Sequence, residues 1–148
     1  MNKKLQIPIE IVDNPFDAVK DLDLVVTSGP IVKKSNPVIR SGWLSKGAFA
    51  CTVDFDSYWQ GKAFKEVDKL ATDDLAQLRY YRKTGYFQQT PEPYADLGEL
   101  VAGMKPGRED ENEKIICLNL GLALDDMAVA PLILKYAKEK RIGQELPL

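Results

Sequence analysis

The sequence predicts an α/β fold, and three observations carry that prediction. Apolar runs of strand length alternate with amphipathic segments along the chain, the pattern of helices packed on a mainly parallel sheet. Several of those runs are followed by residues that end strands or start helices, as in Asp13-Asn-Pro15, Ser28-Gly-Pro30 and Asp73. The composition is that of an ordinary globular domain, with 45% hydrophobic and 28% charged residues in 148. That length predicts one domain over residues 1–148, with enough chain to bury a core.

Taken in order, Ile7 to Val12 reads as a strand, Asp13-Asn-Pro15 as a helix start and Phe16 to Lys20 as a short helix. Leu22 to Thr27 is the second strand, ended by Ser28-Gly-Pro30. Ser41 to Ser45 makes a helical turn before a strand over Ala48 to Val53. A helix is expected to begin near Asp56, followed by a shorter strand over Val67 to Thr72. Asp73 to Lys83 reads as a helix closed by Gly85, and Gln88 to Pro93 as a loop. Ala95 to Met104 is expected to be helical with Lys105-Pro-Gly107 as its stop, and Lys114 to Leu118 to be the last strand. Gly121 then opens a long helix to Lys140. Pro131 inside it costs about 3 kcal/mol in a straight interior, which predicts a bend or break near Ala128.

Composition excludes several classes of chemistry. The 20 basic and 22 acidic residues nearly cancel, and no basic cluster is longer than a pair such as Lys33-Lys34, so no nucleic-acid partner is expected. The start Met-Asn-Lys-Lys-Leu-Gln-Ile-Pro is not a secretion signal. No apolar run approaches the roughly 20 residues of a membrane span, so the expectation is a cytoplasmic protein without membrane contact. With no histidine and no paired-cysteine motif, zinc and histidine-activated nucleophiles are not expected. Cys51 and Cys117 read as buried, reduced thiols in strands. Acid–base work falls to carboxylates, lysine or tyrosine.

Three segments carry candidate chemistry. Ligands of open α/β sheets bind beyond the carboxyl ends of strands, which makes Thr27, Ser28 and Gly29 candidates for cofactor contact, against the plainer reading of a Gly-Pro turn. Asp54 and Asp56 lie two apart where a strand ends, and Asp56 reads either as a helix N-cap or as a proton-transfer group. Lys105-Pro-Gly-Arg108 offers cations and backbone N–H groups for an anion, or a structural link, the favoured reading. Tyr80, Tyr81, Tyr86 and Phe87 read as packing aromatics rather than a base-stacking platform.

Two motifs point further. The run Leu97-Gly-Glu-Leu-Val-Ala-Gly-Met-Lys-Pro-Gly-Arg-Glu-Asp110, followed by Asn119-Leu-Gly-Leu-Ala-Leu-Asp-Asp-Met127, resembles the C-terminal signature of the ornithine cyclodeaminase/mu-crystallin family. The resemblance extends from about Ile7 to Leu148. It implies a partial Rossmann-like sheet, missing its first two strands, with NAD as cofactor and a small amino acid as substrate. It places the catalytic acid/base at Asp56, and cofactor contacts at Thr27 to Gly29, at Val53 and, more weakly, at Asn119, Leu120 and Gly121. Asp54 stands where relatives usually carry glycine, and Leu120 where they often carry serine or threonine.

The dinucleotide fingerprint Gly-x-Gly-x-x-Gly is not in the chain. The family's substrate and dimerisation part, with its lysine and arginines, is expected to be missing as well. In the classical order 3-2-1-4-5-6, Ile7–Val12 would be strand three and Leu22–Thr27 strand four, which are not neighbours. The expectation is therefore a rearranged sheet, or edges and a last helix covered by a fingerprint-bearing N-terminal chain or by self-association. Three functional readings follow. They are the nicotinamide-side part of a cyclodeaminase-like enzyme, a non-catalytic binding or assembly module, or a fragment of a full enzyme.

Overall fold

The computed structural model describes residues 6–32, 34–144 and 146–147. Lys33 and the N-terminal Met1 to Leu5, on which parts of the charge and signal readings fall, lie outside the described residues. The chain forms β1 (Leu24–Ser28), β2 (Phe49–Val53), α1 (Gly61–Phe64), β3 (Lys69–Thr72), α2 (Leu75–Lys83), β4 (Ala95–Asp96), α3 (Leu97–Val101), β5 (Ile115–Leu118) and α4 (Ala123–Lys140). The five strands make one parallel sheet in the order β1-β2-β5-β3-β4.

The fold is the expected α/β type, and its topology removes the difficulty with strand order. Ile7–Val12 is not a strand: its backbone runs irregularly, and Ile7, Ile9, Ile11 and Val12 are all exposed. An alternating apolar pattern makes a strand only when a neighbour supplies the ladder, and β1 is hydrogen-bonded to β2 alone among the described strands. The sheet thus begins at the strand read as the fourth of the classical order. The last strand, β5, inserts between β2 and β3, so the chain skips one position and returns to fill it.

One face of the sheet carries the core. Val25, Ala50, Thr52, Leu70, Ile116 and Leu118 alternate onto that face, where Ile39, Trp59, Phe64, Leu78 and Phe87 cover them. The opposite face is only partly covered, and Leu24 and Val26 are 60% and 59% exposed.

Local chemistry sets the helix ends. The Asp74 carboxylate accepts from the Gln77 N–H at 2.9 Å and caps α2. Asp96 and Glu99 form a capping box at α3, with bonds of 2.8 and 3.1 Å. The predicted helix from Ala95 therefore starts two residues later, because Ala95 and Asp96 first pair with Ala71 and Thr72 as β4.

The structure corrects two further expectations. No helix begins near Asp56: Phe55 has φ of 60°, in the left-handed region that ends a helix, and only the single turn α1 follows at Gly61. Of the bend or break expected near Ala128, the break is absent, since α4 runs unbroken through Pro131. The alanines and leucines on both sides are strong helix formers, and they tolerate the loss of one donor to the Met127 carbonyl. None of its residues is buried. Among the described residues, no helix is long and apolar enough to cross a membrane.

Candidate functional site

The carboxyl ends of three adjacent parallel strands bring the predicted cofactor residues to one edge. The register pairs Ser28 with Val53 and Thr52 with Leu118, so Thr27 to Gly29, Val53, and Asn119 to Gly121 line up side by side. Most of their polar groups are already engaged. The Thr27 hydroxyl donates to the Asp54 carboxylate and accepts from the Trp59 indole N–H at 3.0 Å. The Asn119 amide donates to the Cys51 sulfur and the Cys117 carbonyl, both at 3.2 Å. The backbone N–H groups of Leu120 and Gly121 both donate to Asp73 Oδ2, at 2.7 and 2.8 Å. Ser28 and Val53 remain exposed at the edge.

Gly29 has a packing reason for being glycine. A Cβ there would lie 2.2 Å from the Tyr58 hydroxyl oxygen and 2.6 Å from its Cζ. The close approach is to an aromatic ring of the same chain. Ser57 fastens the same turn, with its hydroxyl donating to the Pro30 carbonyl at 3.0 Å.

The two aspartates after β2 part company. Asp54 is 1% exposed, and both its oxygens are used, one by Thr27 and the other by the Tyr58 N–H at 2.9 Å. It ties the exit of β1 to the turn after β2. Asp56 points the other way, into a cavity of about 400 Å³ lined by Val32, Ser35, Thr84, Gly85 and Tyr86. The left-handed backbone at Phe55 reverses the direction between them. The Phe55 ring is wedged edge-on against Tyr81, Tyr86 and Phe87 at centroid distances of 4.7 to 5.1 Å.

Asp56 Oδ2 accepts from the Phe87 N–H at 2.7 Å, and the other oxygen has no hydrogen-bond partner among the described residues. Burial pushes the Asp56 carboxyl above its ordinary value. The Phe87 bond pulls the other way, and the neighbouring Asp54 adds to the rise. A carboxyl with one free oxygen and a raised pKa, set in a polar cavity, can hold and release a proton. No helix caps on Asp56, so its N-cap reading does not hold.

Asp73 is the residue the sequence reading overlooked. It follows β3, and besides Leu120 and Gly121 its carboxylate accepts from the Asp74 N–H at 3.0 Å. The available signal was a carboxylate at a strand exit, the same pattern that singled out Asp54 and Asp56. Here it clamps the exit of β5 to that of β3.

The signature run is structural in its contacts. Lys105 donates to the Tyr94 carbonyl at 2.5 Å and pairs with Glu99 at 3.4 Å. Arg108 donates to the Glu113 carbonyl at 2.6 Å. Lys69 reaches Gly107 O at 2.5 Å and Glu109 at 2.6 Å, holding the loop across the second face of the sheet. Cys117 is buried, which pushes its thiol up to about 11, as expected of an inert reduced cysteine. Among the described residues, no cluster of three or more ligating side chains could hold a metal.

The model of the ornithine cyclodeaminase/mu-crystallin family matches residues 1–141. The chain belongs to this family. It is 32% identical, over 92% of its own length, to the N-((2S)-2-amino-2-carboxyethyl)-L-glutamate dehydrogenase of Staphylococcus aureus, and covers 41% of that protein. It is 29% identical, over 99% of its length, to a Δ1-pyrroline-2-carboxylate reductase of Bacillus cereus, of which it covers 47%. Among solved structures, its fold matches the Δ1-pyrroline-2-carboxylate reductase of Thermococcus litoralis, in complex with NADH and L-proline, with a TM-score of 0.75 at 24% identity. The match spans 98% of this chain and 47% of that one. The iminosuccinate reductase of Paracoccus denitrificans, in complex with NAD+, gives a TM-score of 0.72 at 23% identity, over 99% of this chain and 46% of that one. The chain thus spans less than half the length of the relatives it matches.

Proposed function

We propose that this chain is the nicotinamide-side part of an NAD(H)-dependent enzyme acting on the carbon–nitrogen bond of a small amino acid or its imine, and that turnover requires a chain carrying the dinucleotide fingerprint. The observation that carries the proposal is Asp56. Its carboxyl is raised by burial, keeps one oxygen free, and lies just past the end of the strand that carries Val53. The names of the relatives, dehydrogenases and reductases of amino and imino acids, support the same chemistry.

The residues fit one end of a dinucleotide and not the whole of it. The edge at Ser28 and Val53 is exposed, and a Cβ at Gly121 would meet nothing within 4 Å, so a flat ring has room to approach. The strand-end amides that would cradle a phosphate, those of Leu120 and Gly121, are taken by Asp73. Bound NAD would supply hydride exchange at the substrate carbon. Asp56 would take the proton released from the substrate amine on oxidation and return one on reduction. Asp54, Thr27 and Trp59 would hold the strand exits at fixed separation, and Phe87 would orient the Asp56 carboxylate.

The test is to add a chain that carries Gly-x-Gly-x-x-Gly and the preceding half of the family's length, then follow NADH formation with amino acids. NAD-linked turnover should appear on mixing, and Asp56→Asn should lower it by roughly 10²–10⁴-fold. A confirmed complex with no turnover overturns the proposal. NAD affinity without turnover would instead favour the alternative, a mu-crystallin-like binding or assembly module, to which the internally satisfied groups of Thr27, Asn119, Leu120 and Gly121 are suited.

A further inference from the structure

The N–H that orients Asp56 belongs to a residue in a costly conformation. Phe87 has φ of 54°, in the left-handed region that a bulky L-residue seldom enters. Such a backbone persists only where its surroundings fix it from more than one side. One anchor is the Phe87 ring, which is buried and packs edge-on against Phe55. That anchor holds the side chain but leaves the direction of the following backbone open.

The second anchor is Arg82, in the last turn of α2. Its Nη2 donates to the Thr90 carbonyl at 2.7 Å and to the Pro91 carbonyl at 2.6 Å, and its Nη1 donates to Glu92. The Arg82 carbonyl accepts from the Gln88 side-chain amide at 2.8 Å, and the same amide reaches the Tyr86 carbonyl at 3.0 Å. Within the loop, the Thr90 N–H donates to the Phe87 carbonyl at 3.3 Å. One residue thus grips the chain on both sides of Phe87. Thr84, Gly85 and Tyr86, which lead into this loop, also line the Asp56 cavity. Arg82 Nε is buried with no hydrogen-bond partner among the described residues, so the guanidinium sits where the loop carbonyls need it and not where all its own donors are met.

We infer that Arg82 is a positioning residue for Asp56: its planar fork of donors pins the Thr90 and Pro91 carbonyls, and the pinned loop keeps the Phe87 N–H on the Asp56 carboxylate. The inference rests on Asp56 as the proton-transfer group of the proposed function. Arg82 does not act through its charge, since the groups that shift the Asp56 carboxyl are its burial, the Phe87 N–H and Asp54. A lysine at this position would keep the charge and lose the fork.

The test is an NMR titration of the full chain that follows the Asp56 carboxyl carbon and the Phe87 amide proton. In the wild type the amide resonance should move with the Asp56 midpoint, because a donor senses the loss of the charge it serves. Arg82→Lys and Arg82→Met should each raise that midpoint by roughly one pH unit, a tenfold change in proton affinity. The N–H that favours the charged form is lost while burial remains. In both variants the Phe87 amide should stop titrating and exchange with solvent roughly tenfold faster or more. Arg79→Met, which removes only a partner of Glu92, should change none of these readings. Far-UV circular dichroism and urea midpoints confirm that each variant is folded, and Arg82→Lys, the milder change, carries the test if Arg82→Met unfolds. Full rescue by lysine would show that charge is what acts, and an unchanged or lowered midpoint would show that the loop holds itself; either overturns the inference. These readings need no turnover, so they fail independently of the proposed reaction, which Asp56→Asn in the two-chain assembly tests.

Discussion

Replacing Asp54 with alanine probes the device that joins the two halves of the site. Its carboxylate accepts from the Thr27 hydroxyl and the Tyr58 N–H, and the Thr27 oxygen in turn accepts from Trp59. Hydrogen bonds to a charged group contribute about 1.5–3 kcal/mol each, and a buried donor left bare costs about 1–3 kcal/mol. Relief from burying the carboxylate offsets part of that loss. The expected net cost is about 3 kcal/mol, a large share of the roughly 5–15 kcal/mol of a typical domain. Thr27→Val should cost about 2 kcal/mol, because it strips a partner from both Asp54 and Trp59. The informative quantity is the coupling. If the three side chains act as one network, the double variant should lose at least about 1 kcal/mol less than the sum of the singles. Urea unfolding followed by tryptophan fluorescence reads all three values. A loss below about 1 kcal/mol for Asp54→Ala, or strict additivity, would refute the network and leave Asp54 a bystander.

Two further outcomes follow from the same site. The Asp56 carboxyl is raised above 3.8, so the folded state binds more protons than the unfolded chain between that value and the raised one, and stability falls as pH rises through the window. Asp56→Asn should therefore raise the melting temperature at neutral pH and lose that advantage below about pH 4; an equal gain at both would show that burial is not the cause. Gly29→Ala should destabilise by about 1–3 kcal/mol, since its Cβ overlaps the Tyr58 ring, and Tyr58→Ala in the same chain should remove most of that added penalty. Additive losses in the denaturation midpoints of the double variant would show that the ring is not the obstacle.

The strands that proved legible are those with continuous apolar runs bounded by turn residues. Phe49–Val53 and Ile115–Leu118 are internal strands of a parallel sheet, where both faces favour β-branched and apolar residues, and Leu24–Ser28 at the edge carries the same kind of run. β4 was not legible, because two residues carry no period. The strand pattern at Ile7, Ile9 and Ile11 is as clear as any in the chain, yet it makes no strand. Local periodicity says which face a segment could bury; it does not say that a neighbour is there to pair with it. Leu24 and Val26 show the same limit at the β1 edge of the sheet, where they are 60% and 59% exposed.

The site divides along a similar line. Family resemblance placed Asp56, and the geometry supplies the reason it differs from Asp54 two residues earlier: the left-handed turn at Phe55 sends one carboxylate into the core and the other into a cavity. Which polar groups remain available at the sheet edge was not legible. The competitors that claim them are distant in sequence, Asp54 for Thr27 and Asp73 for Leu120 and Gly121, separations of 27, 47 and 48 residues. A strand-end N–H or hydroxyl bonds to whichever acceptor the fold brings within reach, and only tertiary structure names that acceptor. This bears directly on the proposed enzyme. With Asp73 holding the two amides best placed for a phosphate, the chain offers a cofactor an apolar edge at Val53, the Ser28 hydroxyl and one free carboxylate oxygen. Such an edge suits a nicotinamide ring and an amine, but it leaves the pyrophosphate without donors. The fingerprint turn of another chain would supply them, which is why binding of NAD by this chain alone should be weak even if its part of the chemistry is intact.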